Sequence, residues 1–287
     1  MMNFPKILIT GANGQLGKEL RMLAEPFSQF EFIFLSREDM PVHHFELVRN
    51  TLKIYKPNYL INCAAYTAVD RAEQEKDLAM QVNGEAVGIM AAICHQNNCR
   101  FLHVSTDYVF DGKASTPYKE EDPVNPQSIY GSSKLEGEKQ AMKFDPGCII
   151  IRTSWVYSEY GKNFVKTMMK LMSEKEEISV VNDQLGSPTY AADIAEVIMQ
   201  IISSGSWKPG LYHYSNEGII SWYDFAVAIK ELTGSSCKVN PIPTSQFPTP
   251  AKRPAWSVLD KSKIKQTFGI KPKNWKESLE FCISRLK

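Results

Sequence analysis

The sequence lacks any apolar run near the ~20 residues that a membrane-spanning helix needs. It lacks a secretory leader too, because the first apolar run, Lys6-Ile7-Leu8-Ile9-Thr10, is too short. It has no excess of charge: 33 basic residues stand against 32 acidic ones, for a net charge of +1. Nothing therefore draws the chain as a whole to nucleic acid or to an anionic membrane, although a local basic pocket is compatible with that balance. There is no internal repeat, no low-complexity linker and no C-x-x-C pair. The six cysteines, at positions 63, 94, 99, 148, 237 and 282, follow no zinc spacing, and Cys63 and Cys148 lie inside apolar runs. They read as reduced and structural. His43-His44 reads as solvated surface, since adjacent side chains diverge and no second ligand cluster accompanies them. The expectation is a cytoplasmic enzyme or binding protein.

At 287 residues, the chain is long enough for one large domain, or a large and a small one. Its first 150 residues alternate short β-branched runs with longer amphipathic segments. Strands are expected at Lys6–Thr10, Glu31–Leu35, Tyr59–Asn62, Arg100–Ser105 and Cys148–Arg152, and helices at Leu16–Ala24, His44–Tyr55, Asp77–Asn97 and Ser128–Phe144. Such alternation predicts βαβ units and a parallel sheet, and strands apolar throughout predict that both faces are covered. The fold class is α/β: a Rossmann-like doubly wound parallel sheet with a smaller C-terminal α/β lobe for substrate. We expect a dinucleotide-binding domain over 1–157, with 178–203 returning to it, and a mainly substrate-binding lobe over 158–287. Five prolines between Pro241 and Pro254 exclude regular helix there and predict an ordered loop.

Gly11, Gly14 and Gly17 give G-x-x-G-x-x-G between the first strand and the first helix. This variant of the dinucleotide fingerprint provides a tight turn, backbone approach to a pyrophosphate and close helix packing, with the helix N-terminus facing the phosphates. After the second strand, Ser36 stands where an acid would favour NAD, and Arg37 follows. That arrangement suits a 2′-phosphate, so NADPH is expected, with NADH left open. The small residues of Asn62-Cys63-Ala64-Ala65-Tyr66-Thr67 suit a flat cofactor lying on the strand ends.

Thr106 and Asp107 close the fourth strand, and Tyr130 and Lys134 stand one helical turn apart in the next helix. A phenol with a pKa near ~10 is a poor acid alone; a neighbouring ammonium brings it towards the working range. In this order, the pieces resemble the extended short-chain dehydrogenase/reductase superfamily.

Narrower motifs resemble the dTDP-4-dehydrorhamnose reductase family: Thr67-Ala68-Val69-Asp70, Ser105 to Phe110, Thr153-Ser154-Trp155-Val156-Tyr157, Asn163 to Met168, Asn182 to Thr189 and Thr249 to Pro254. The likeness runs in order from Lys6 to about Trp275. It implies reduction of the 4-keto group of dTDP-4-dehydro-L-rhamnose to dTDP-L-rhamnose, a donor for surface polysaccharide. Carried over by motif, Tyr130 is the proton donor, Lys134 its electrostatic partner and Thr106 a hydrogen-bonding partner of the same oxygen. Gly11, Asn13, Gly14, Gln15, Leu16, Ser36, Arg37, Asp39, Met40, Ala65, Tyr66 and Thr67 are the cofactor residues, with Tyr130 and Lys134. Thr106, Asp107, Trp155 and Arg253 are assigned to the dTDP-sugar, the Arg253 guanidinium suiting its pyrophosphate.

Some family members hold a magnesium ion between subunits through glutamates; no motif here identifies such ligands, and no catalytic metal is expected. A homodimer is compatible with the sequence. Two other readings stay open. One is a non-catalytic dinucleotide-binding regulatory subunit, as in methionine adenosyltransferase. The other is an NAD-retaining epimerase or dehydratase, since dehydratases carry an acid where Asp107 stands.

Overall fold

In the computed structural model, which describes residues 4–286, twelve strands and eleven α-helices form among the described residues. The strands are β1 (Lys6–Thr10), β2 (Glu31–Leu35), β3 (Tyr59–Asn62), β4 (Arg100–Thr106), β5 (Ile149–Thr153), β6 (Val156–Tyr157), β7 (Glu177–Val181), β8 (Leu185–Gly186), β9 (Thr189–Tyr190), β10 (Gly210–His213), β11 (Ile220–Ser221) and β12 (Lys238–Ile242). The helices are α1 (Gln15–Leu23), α2 (Phe45–Tyr55), α3 (Val69–Ala72), α4 (Lys76–Met80), α5 (Ala86–Gln96), α6 (Ile129–Phe144), α7 (Phe164–Glu174), α8 (Ala191–Ser203), α9 (Trp222–Thr233), α10 (Ser262–Phe268) and α11 (Trp275–Leu286).

Six strands make one wholly parallel sheet in the order β10-β5-β4-β3-β1-β2. Alternate side chains explain why it is doubly wound. Ile7, Ile9, Ile61, Leu102, Ile149 and Ile151 pack with Leu20 of α1 and Ile194 and Ile198 of α8. Leu8, Leu60, Phe101 and Ile150 point the other way, towards Val48 of α2, Met90 of α5 and Ala141 of α6. Each such side chain, buried completely, contributes ~1.5–3 kcal/mol. The strand order reverses between β1 and β3, and a ligand crevice is expected beyond the carboxyl ends of the strands at that point.

The chain departs from expectation in three places. The segment expected as one helix over 77–97 is α4, a π-turn at Gln81–Glu85, and α5. Of the segment 178–203, only α8 reaches the sheet layer, packing on α1, while β7 pairs with β12 instead. The chain then enters the large sheet again through β10. Pro241 sits inside β12, which is tolerable because β12 pairs with β7 alone and keeps a free edge. Beyond it the proline-rich segment contains one 3-10 turn, Thr244–Gln246, and no α-helix.

A second core gathers Tyr157, Val165, Met168, Ile178, Phe225, Ile229, Leu279 and Ile283 from β6, α7, β7, α9 and α11. It forms the lobe at the carboxyl end of the sheet. All six cysteines are free thiols, five of them buried. Among the described residues no helix is long and apolar enough to cross a membrane.

Candidate active site

A cleft of about 830 Å³ opens over the carboxyl ends of β1, β3, β4 and β5. Its floor at one end is the glycine turn. Gly11 has φ of +64°, and a Cβ there would stand 2.8 Å from the backbone nitrogen of Ala64. Only glycine fits both demands. Gly14 precedes α1 with no side-chain cap, and no acid stands in the first turn of the helix. The free N–H groups and the positive end of the helix dipole therefore face the cleft, which suits a pyrophosphate. Asn13, Gln15, Leu16, Ala65, Tyr66 and Thr67 line the same wall. Gln15 also reaches the lobe, donating to the Val156 carbonyl at 3.4 Å and accepting from Asn163 at 3.0 Å.

At the end of β2 the structure separates the expected residues. Arg37 and Met40 line the cleft. Ser36 and Asp39 do not: the Asp39 carboxylate accepts from the Ser36 backbone N–H at 2.8 Å, and the Ser36 hydroxyl accepts from Glu38 and Asp39. The His43 reading needs correction. His44 is exposed, but His43 is half-buried and lines the cleft with Arg37, because the chain turns inward at Val42 before α2 begins.

The reactive groups come from α6 and the end of β4. Ser128 caps α6 by accepting from Gly131 N–H at 3.1 Å, which fixes Tyr130 in the first turn. A Cβ on Gly131 would fall 2.3 Å from the Tyr108 carbonyl, so glycine lets α6 lie directly on the 107–109 turn. Tyr130 then meets the Tyr108 ring edge-on at 5.5 Å. Although Tyr130 opens onto the cleft, burial pushes its hydroxyl up to about 12, with the Thr106 hydroxyl pulling the other way. Lys134 is 1% exposed, and burial lowers it to about 8. The expected lowering of the phenol by Lys134 is not what this geometry gives. Desolvation dominates at both groups, and Lys134 donates to the Val104 carbonyl at 2.6 Å and meets His103 at 3.1 Å.

Thr106 donates to Asp107 at 2.9 Å. Asp107 is 2% exposed, and burial raises it to about 7. Trp155 carries a left-handed backbone, φ +50°, and its ring stacks on Trp222 at 3.6 Å. Gly186 lies under that ring, where a Cβ would approach within 2.6 Å. Arg253 lies outside the cleft wall; its Nη2 donates to Asp70 at 2.7 Å, and its Nη1 is buried without a partner.

Four residues escaped the sequence reading. Asn83, in the π-turn, bonds to both backbone groups of Tyr66 and to Ser133, tying the 63–67 loop to α6. A helix-period pattern gives no sign of a π-turn. Trp222 was hidden inside an ordinary amphipathic helix, His103 inside an apolar strand, and His43 in a loop. Among the described residues, no group of three or more His, Cys, Asp or Glu side chains is placed to hold a metal ion.

Comparison with known proteins gives a consistent result. Residues 5–287 match the family described as RmlD substrate binding domain. A dTDP-4-dehydrorhamnose reductase of Aggregatibacter actinomycetemcomitans is 44% identical over 285 residues, covering 96% of this chain and 97% of that protein. A crystal structure of a dTDP-4-dehydrorhamnose reductase from Clostridium acetobutylicum is 44% identical and superposes with a TM-score of 0.94, covering 98% of this chain and 99% of the other. A crystal structure of the Bacillus anthracis dTDP-4-dehydrorhamnose reductase in complex with NADP, 36% identical, also gives 0.94, with 99% and 100% covered.

Proposed function

The chain belongs to the RmlD family of dTDP-4-dehydrorhamnose reductases, and from that premise we propose that it reduces the 4-keto group of dTDP-4-dehydro-L-rhamnose to dTDP-L-rhamnose. The observation that carries the reading is one cleft that joins a glycine turn at one end to Thr106, Tyr130 and Lys134 at the other. Residues 1–157, with α8 and β10, form the dinucleotide side in this proposal, and most of 158–287 forms the sugar-nucleotide side.

The uncapped start of α1 and the glycine turn fit a dinucleotide pyrophosphate, with Ala65, Tyr66 and Thr67 against the ring system. Arg37, joined by His43, suits a 2′-phosphate and supports NADPH; NADH remains compatible. When bound there, the reduced cofactor supplies the hydride. Tyr130 delivers the proton to the carbonyl oxygen. Held at about 12, its hydroxyl is fully protonated at neutral pH, so it enters the reaction as an acid. Thr106 hydrogen-bonds that oxygen, and Lys134, one helical turn along α6, is the cation that partly offsets the phenolate left on Tyr130, while burial sets the resting phenol. Trp155, fixed by Trp222, forms the face against the sugar, next to Asp107. Arg253 stands beside Tyr108 with one nitrogen unpartnered, which suits a pyrophosphate oxygen at the cleft mouth.

Mixing the chain with NADPH and the keto-sugar nucleotide should consume the reduced cofactor's absorbance. Tyr130→Phe keeps the ring and removes the proton, and kcat should fall by ~10²–10⁴. Turnover at the wild-type rate in that variant would rule out Tyr130 as proton donor.

A further inference from the structure

Arg253 stands in a proline-rich strap whose backbone is fixed on both sides of it. On one side Ala251, 1% exposed, donates its N–H to Asp70 Oδ1 at 3.1 Å. On the other, the Trp256 N–H donates to the Gly112 carbonyl at 3.1 Å. Gly112, with φ of +76°, leaves room for Pro254, whose Cα would stand 2.7 Å from a Cβ there. The guanidinium lies at the end of a long side chain with many rotamers, and backbone bonds alone do not orient it. Among the described residues its only hydrogen-bond partner is Asp70, whose Oδ2 accepts from Nη2 at 2.7 Å. Nη1 is buried and unbonded, so the guanidinium keeps donors for a further acceptor.

Asp70 reaches the strap from α3, and the segment around α3 also touches the rest of the site. Thr67, Ala68 and Val69 line the cleft. Glu73 Oε1 accepts at 2.8 Å from the N–H of Ile129, the residue before Tyr130 at the start of α6. The Tyr66 hydroxyl donates to Glu75, and Arg71 pairs with the same carboxylate, which braces the segment from within. Tyr108, which lines the cleft and meets the Tyr130 ring, feels the charges of Arg253 and Asp70 in opposite senses. One oxygen of Asp70 therefore fixes the strap, and the other turns the guanidinium, on a segment already tied to the helix of Tyr130.

We propose that Asp70 is a positioning residue for the sugar nucleotide, holding Arg253 so that its free N–H groups meet the diphosphate. The inference rests on the reading of Arg253 as the diphosphate residue. A planar guanidinium with one nitrogen bonded to a carboxylate still presents its other N–H donors in fixed directions. Asp70 also places a negative charge near the diphosphate, which opposes binding. Its side chain is 40% exposed, so water screens that charge, whereas the orientation it imposes is not screened. Orientation should therefore outweigh repulsion. Losing the anchor should weaken binding of the sugar nucleotide and leave hydride transfer nearly untouched, because Asp70 acts only through Arg253.

Calorimetric titration of the full chain loaded with NADP⁺ tests this, with dTDP and thymidine as probes, since their difference isolates the diphosphate. Asp70→Asn keeps an acceptor for the Ala251 N–H and loses the charged hold on Arg253. Its Kd for dTDP should rise about tenfold, with thymidine and NADPH affinities unchanged. In steady state, KM for the keto-sugar nucleotide should rise by the same factor, with kcat within about twofold. Asp70→Glu restores the charge and should recover part of the loss. Added to Arg253→Ala, Asp70→Asn should weaken dTDP no further. An additive loss in the double variant overturns the proposal. So does tighter dTDP binding by Asp70→Asn, which would make Asp70 only a repelling charge. Equal weakening of dTDP, thymidine and NADPH overturns it too, as the mark of a merely structural role. Should Arg253→Ala bind dTDP as the wild type does, the diphosphate reading of Arg253 falls first, and this inference with it.

Discussion

The two ends of the cleft are made of different material. The dinucleotide end is backbone: a glycine with positive φ, an uncapped helix start and small residues at strand ends. The reactive end is side chain, gathered from β4, the 107–109 turn, α6, the loop after β5 and α9, and held by buried polar networks. Backbone binding needs only local conformation, which a few residues specify. Side-chain chemistry needs groups far apart in sequence to meet within hydrogen-bonding distance, and each buried group needs a partner. Most of the stability risk should therefore sit at the reactive end.

The largest effect should come from the ion pair beneath that end. Glu138 and Arg152 are almost wholly buried and bond twice, at 2.9 and 2.7 Å, with Ser105 donating to the same carboxylate. Glu138→Ala leaves Arg152 charged and buried without its carboxylate, with only His213 and the Phe110 ring against it, so stability should fall by ~3–5 kcal/mol. Urea unfolding measures this. A loss smaller than that caused by altering the glycine turn would reverse the comparison.

The next effect tests the backbone end. Gly11→Ala places a side chain at φ +64° and 2.8 Å from the Ala64 nitrogen. The expected cost is ~1–3 kcal/mol, with weaker dinucleotide binding. Thermal unfolding and a fluorescence titration with NADPH check the two parts separately.

The same division decided what could be read from the sequence. The elements around the glycine turn were legible because apolar runs and glycine spacing are local signals; β1, β2 and β3 form where the runs predict them. Tyr130 and Lys134 were legible as a pair because one helical turn separates them. Their surroundings were not. Nothing local says that His103 meets Lys134, that Trp222 stacks on Trp155, or that Asp70 holds Arg253 across 183 positions. Nor does periodicity show that Asp39 folds back on Ser36 instead of facing the cleft. The partner of a buried polar group is fixed by tertiary packing, and a pattern of residue types carries little of that.

An effect no larger than that of Gly11→Ala depends on pH and separates strain from mere burial. Asp107 rises from its ordinary 3.8 to about 7 through burial. A carboxyl whose folded value is raised binds its proton more tightly in the fold than in the unfolded chain. Its stabilising contribution is thus complete below about pH 4 and is lost as pH rises through 7. Asp107→Asn keeps the shape and an acceptor for the Thr106 hydroxyl, but cannot ionise. Near pH 4 the variant should match the wild type most closely, the gap should open as pH rises, and by pH 8 the variant should be more stable by roughly 1–3 kcal/mol. Unfolding midpoints at the two pH values decide it. Equal midpoints at pH 8 would mean that the charge on Asp107 is compensated in the folded protein. The reactive end would then hold less strain than its side-chain construction implies.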